Sequence, residues 1–89
     1  MLNKKQHKAC FRRTFNELAT QVWNLRRERQ MTIVELSIDS KVPVRFLEAL
    51  EIKGYPLALG ELASLASFYD KRIKIELVDV EDDIKNMAL

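Results

Sequence analysis

The chain has 89 residues, 47% of them hydrophobic and 31% charged, which gives room for one compact domain and one core but not for a large enzyme cleft. Cys10 is the single cysteine and His7 the single histidine, so the sequence offers neither an internal disulfide nor a His/Cys cluster for zinc. The formal net charge of +2 hides an asymmetry: residues 1 to 30 carry eight Lys or Arg against two acids, and residues 61 to 89 carry four against seven. Such a dipolar chain meets polyanions with its front and repels them with its tail, although a solvated basic helix without a ligand has the same composition.

The basic start Met1 to Lys8 has no apolar run behind it, and no stretch approaches the ~20 apolar residues that cross a bilayer. A cytoplasmic location and no membrane partner are the expectation, with residues 1–10 as a basic arm.

Between Arg12 and Gln30 there is no Gly or Pro, and Phe15, Leu18, Val22 and Leu25 recur at helical spacing, which predicts a long amphipathic first helix. Thr32-Ile33-Val34-Glu35 then has the form of a capping box, in which the Thr hydroxyl accepts from the third helical amide and the Glu reaches back to the cap amide. A short second helix begins there, with Leu36 as its last strongly placed apolar residue. Pro43, after the polar stretch from Asp39, suits the first turn of a third helix in which Leu47 and Leu50 lie one turn apart. Gly54 is placed to terminate that helix, and Tyr55-Pro56 to make the following loop. Leu59, Leu62, Leu65 and Ala66 then describe a fourth helix ending near Tyr69-Asp70.

From Ile73 to Leu77 the period changes to strict alternation of apolar and charged residues, the mark of a strand with one apolar face. A lone strand cannot satisfy its own backbone, so Ile73, Ile75 and Leu77 are expected to pair with the same strand of a second copy. Residues 81–89 read as an acidic, solvated or frayed tail. The fold expected is mainly α: a four-helix domain over residues 11–70, a dimerisation strand over 71–80, and the tail.

Two short helices joined by a tight turn are a scaffold that presents one helix to the DNA major groove, and also a corner used purely as structure. Over about Leu18 to Asp70, the residues Leu25-Arg26, Thr32, Leu36-Ser37, Val42, Leu47, Leu50-Glu51, Gly54 and Leu65-Ala66 resemble the lambda-repressor and Cro-like helix-turn-helix group, also called the XRE group. That resemblance implies a structural ion pair between Arg26 and Glu51. It also implies DNA contacts at Ile33, at the exposed positions Val44, Arg45 and Glu48 of the third helix, and at Lys53.

Ile33 departs from the family's usual Gln and offers only apolar contact to a thymine methyl. Arg45 can pair with guanine O6 and N7 or clamp a phosphate, and Val44 can meet a thymine methyl. Glu48 can accept from cytosine N4, repel DNA, or simply be solvated. Lys41 stands where the family usually has Gly, and either takes a left-handed conformation or alters the turn; its charge can also reach a phosphate. Further phosphate contacts are expected from the amides that open helix two at Thr32 and from Lys4, Lys5 and Lys8.

Residues 42 to 51, followed by Tyr55, are also similar to the cytoplasmic helix-turn-helix of the RodZ rod-shape family, in which this fold binds a protein filament. Members of that family continue into a membrane anchor, which is not expected here. Asp70 to Asp79 resembles the terminal strand of persistence-type antitoxins, which implies a toxin as a further partner. The reading that joins these features is a homodimeric DNA-binding transcriptional regulator on a palindromic operator, with an antitoxin or a protein-binding adaptor as alternatives. No cofactor is called for. Catalysis is the least favoured class, because Glu48, Glu51 and the acids near Asp82 have no histidine or metal partner at useful spacing.

Overall fold

The computed structural model describes residues 1–52 and 59–87. Their elements are five helices in chain order: α1 (Lys4–Glu28), α2 (Ile33–Ser40), α3 (Val44–Glu51), α4 (Leu59–Phe68) and α5 (Asp82–Lys85). The helical class follows the expectation, but there is one helix more than the periodicity indicates, and no strand forms among the described residues. Gly54 and the Tyr55-Pro56 loop lie outside the described residues.

The first helix starts eight residues before Arg12, so Lys4, Lys5 and Lys8 sit in its opening turns and not on an unstructured arm. Its start is fixed by Asn3, whose side chain accepts from the Gln6 amide at 2.9 Å while the Gln6 side chain accepts from the Asn3 amide at 2.7 Å. This reciprocal pair satisfies two of the amides that every helix start leaves unbonded. At the other end Gln30 turns left-handed, and the Met31 amide donates back to the Arg26 carbonyl at 3.2 Å while that of Gln30 donates to Arg27 at 3.0 Å. Asp70 ends α4 in the same way, with Lys71 donating to Ala66 and Asp70 to Ser67, both at 2.9 Å. Both are the 6→1 and 5→2 pattern that usually recruits glycine, here carried by Gln and Asp at a backbone cost of roughly 1 kcal/mol each.

Helix two begins with the Thr32–Glu35 capping box, both halves of which are made at 3.1 Å. Lys41 takes the left-handed conformation (φ 64°, ψ 18°) and its amide donates to Ser37 at 2.9 Å. The turn is tied down further by the Ser37 hydroxyl, which donates to the Val42 carbonyl at 2.7 Å.

Val22, Leu36, Val42, Leu47, Leu50, Leu62, Leu65 and Tyr69 form one buried cluster, with Leu18, Leu25, Met31, Ile33, Phe46, Phe68 and Ile73 packed around it. Helix α3 packs against α1 and α2, and α2 also against α4. The cluster draws on α1 only from Leu18 onward, so the first half of that helix extends past this core.

The far half of α1 is covered by α5 instead. The acidic end of the chain is therefore not a frayed tail: Asp82 and Asp83 complement the positive start of a short helix, Lys85 its negative end, and Ile84 is buried against α1. Between Ile73, packed on the core, and Ile84 the chain must run from the level of Leu18 and Val22 to that of Gln6. That is about 21 Å at 1.5 Å per helical residue. Eleven residue steps in a helix would cover only about 17 Å, so the stretch is not helical, and the strand expected over 71–80 does not form because no ladder lies beside it among the described residues.

Candidate nucleic-acid interface

The elements that would face DNA are the start of α2, the turn, and α3. Thr32 is the exposed N-cap of α2, Lys41 is exposed on the turn, and Arg45 and Glu48 are exposed one turn apart on α3. Val44 opens α3 half-buried. Ile33 is half-buried and packs against the core, so its apolar side chain has a structural use that leaves little of it for a base edge. Lys53 lies outside the described residues. The structure thus brings Thr32, Lys41, Val44, Arg45 and Glu48 into one helix-turn-helix unit. Arg45 keeps its guanidinium 5.1 Å from the centre of the Phe46 ring, which holds the charge near the α3 surface by a cation–π contact.

The scaffold beneath this face is fastened by an ion pair. The Arg26 Nε donates to both carboxylate oxygens of Glu51, at 3.0 and 3.1 Å, and Nη1 donates to the Met31 carbonyl at 2.9 Å. The Glu51 side chain is 1% exposed and that of Arg26 17%. One guanidinium thus links the end of α1, the loop before α2, and the end of α3. Held against Glu51 and largely buried, Arg26 has a structural use, as the resemblance implies. Arg29 lies 5.0 Å from the Tyr69 ring and 5.5 Å from that of Phe68, joining α1 to the end of α4. Burial raises the Tyr69 hydroxyl above its ordinary pKa, the Glu51 carboxylate adds to this, and Arg29 and Arg26 oppose it.

The basic half of α1 is divided by the docking of α5. Arg13 donates to both carboxylate oxygens of Asp83, at 2.6 and 3.2 Å, and lies 3.7 Å from Glu81. The hydrogen bond from Arg13 is the first cause that holds the Asp83 carboxyl below its ordinary pKa. Lys4, Lys5, Lys8 and Arg12 stay exposed. Gln6, 7% exposed, donates its side-chain amide to the carbonyls of Ile84 at 3.2 Å and Lys85 at 3.0 Å, while its oxygen serves the N-cap of α1. One side chain therefore closes the start of α1 and the end of α5.

Neither Gln6 nor Ile84 stands out by periodicity. The spacing Asn3-x-x-Gln6 is nonetheless a capping signal of the same kind as Thr32-x-x-Glu35. Among the described residues no helix is long and apolar enough to cross a membrane, and no group of His, Cys, Asp or Glu is placed to hold a metal. Family models, curated proteins and solved structures give no match to this chain.

Proposed function

We propose that this chain is a sequence-specific DNA-binding transcriptional regulator that acts as a homodimer on a palindromic operator, with α3 as its recognition helix. The observation that carries the reading is the α2–turn–α3 unit itself. Two eight-residue helices, the first opened by the Thr32–Glu35 capping box, are tied to α1 by the Arg26–Glu51 pair, and the second exposes Arg45 and Glu48 one turn apart. Arg45 is the group suited to guanine or to a phosphate, and the free amides at the start of α2 suit a second phosphate. Genome-wide selection of bound duplex fragments tests this. Specific binding should fall steeply with salt, and Arg45→Ala should weaken it by about 1–3 kcal/mol. In a dimeric complex the half-sites should be spaced roughly 34 Å, one helical turn. Recovery of no duplex, or binding insensitive to salt, overturns the proposal.

A protein-binding role, as an adaptor or as an antitoxin, is favoured by one separate observation. Val34 and Ile38 stand four residues apart on α2 and are 58% and 71% exposed, an apolar stripe that DNA does not need. Replacing both with Ser should leave operator binding intact under the first reading. Loss of a protein partner with DNA binding unchanged would assign the stripe to that partner.

A further inference from the structure

The stretch from Arg72 to Val80 is fixed at both ends and open along its length. Ile73 packs on the main core, and α5 seats the far end on α1 through Ile84 and Gln6. Between them Ile75, Leu77 and Val78 are 71%, 98% and 73% exposed. Among the described residues no hydrogen bond uses the backbone of residues 72–80. A segment already drawn out loses less conformational freedom on pairing than a floppy one, and its apolar side chains gain from being covered. The covering partner has to bring its own backbone ladder, apolar side chains at alternate positions, and charges that answer Lys71, Lys74, Glu76 and Asp79.

We infer that the occupant is the same stretch of a second copy, paired antiparallel with Ile75 opposite Ile75. This inference rests on the homodimer reading and specifies its interface. Two identical antiparallel strands are related by a two-fold axis perpendicular to the sheet, so the axis passes midway between one residue and its own copy directly opposite. Centring on Lys74 places two ammonium groups directly opposite each other, and centring on Glu76 does the same with two carboxylates; like charges in that position are destabilising. Centring on Ile75 sets Lys74 against Glu76 twice, Ile73 against Leu77 twice, and Lys71 against Asp79 twice.

The odd-numbered face then reads Lys71, Ile73, Ile75, Leu77, Asp79, with an apolar middle and complementary charged ends on both strands. In the single chain Lys74 Nζ and Glu76 Oε2 already lie 3.8 Å apart, so these two side chains share one face, as the register requires. A heterologous strand would have to reproduce this mirror arrangement of charge, whereas a second copy contains it by construction.

The test uses the full chain with Lys74→Glu, Glu76→Lys and the double exchange, followed by sedimentation across protein concentration. Each single change should raise the dimer dissociation constant roughly tenfold, because two cross-strand pairs change from opposite to like charge. The double exchange should return it to within about twofold. Both side chains are exposed, so unchanged helical circular dichroism certifies folding. As an independent measurement, Ile75→Cys in a Cys10→Ser background should give a covalent dimer on mild oxidation, and Lys74→Cys or Glu76→Cys should give much less.

A dimer that the single exchanges leave unaffected, or that the double exchange fails to restore, overturns the register while leaving the homodimer standing. A monomer at every concentration overturns the interface and the homodimer together. Duplex binding by such a monomer would show that the DNA reading survives both.

Discussion

The two halves of α1 are covered in different ways, and the contrast sorts the molecule into a part held by packing and a part held by fastening. From Leu18 onward α1 contributes to a cluster of eight buried residues drawn from four helices and their connections. Before Leu18 its cover is a four-residue helix with one buried aliphatic side chain, Ile84, plus the Gln6 and Arg13 contacts. A large apolar cluster unfolds as a unit, because each side chain depends on several others. A clasp made of one apolar anchor and a few polar contacts opens locally at a lower free energy.

The largest expected effect lies in the packed half. Glu51→Ala should lower global stability by about 3 kcal/mol, because it leaves the Arg26 guanidinium largely buried without its carboxylate. A chain of this length has a total of only roughly 4–13 kcal/mol, so denaturant unfolding should report a large drop in midpoint with the slope unchanged. A change below about 1 kcal/mol would mean that the pair is not what joins α1 to α3.

Next in size is the clasp. Ile84→Ala removes its one apolar anchor, a substitution that costs about 2–5 kcal/mol in a core that cannot escape it. Here the cost should be capped by local opening. Hydrogen exchange should accelerate at Ile84, Lys85 and Asn86 and in the first turns of α1, while the protection of α3 and the main thermal transition stay close to those of the parent chain. Equal loss of protection in α3 would show that the two halves form one cooperative unit.

The smallest effect is electrostatic. Asp83 has a folded pKa below its ordinary value, so the stabilisation it contributes is present above the unfolded carboxylate range near 3.9 and is lost as pH falls through the folded value. Exchange protection of α5 should therefore be maintained at neutral pH and decline below about pH 4. Asp83→Asn should abolish that acid dependence, and because the pair is exposed, raised salt should weaken it at neutral pH too.

The same division separates what was legible in the sequence from what was not. The packed half announces itself locally: Thr32 and Glu35 mark the start of α2, Leu47 and Leu50 mark the inner face of α3, and the spacing of Leu59, Leu62 and Leu65 marks α4. The placement of Thr32, Val44, Arg45 and Glu48 follows from those elements. Ile33 was less transparent, because a periodic pattern does not say whether an apolar residue beside a cap turns to the core or to a ligand.

The fastened half depends on residues 78 positions apart. A four-residue helix has no stability of its own, and Asp82-Asp83-Ile84-Lys85 is acidic enough to pass for a solvated tail until Gln6 and Arg13 are brought to it. Lys4 and Lys5 likewise sit inside the Asn3–Gln6 cap and, with Lys8, give that segment the composition of a basic arm. The alternation from Ile73 to Leu77 reads as a strand, but no strand forms there, because alternation fixes which side chains share a face and not whether a neighbouring backbone is present to pair with.

Because α1 passes through both halves without a break, it also governs how the molecule turns in solution. Its 25 residues span about 37 Å, which fits only along the longest of the principal extents of 44, 22 and 22 Å. The radius of gyration, 14.9 Å, exceeds the roughly 12 Å of an evenly rounded chain of this length. Such a rod-like body rotates faster about its long axis than end over end. Amide vectors in α1 lie along that axis, so their nuclear relaxation should report slower reorientation than vectors lying across it, and the spread between them measures how much of the helix stays straight.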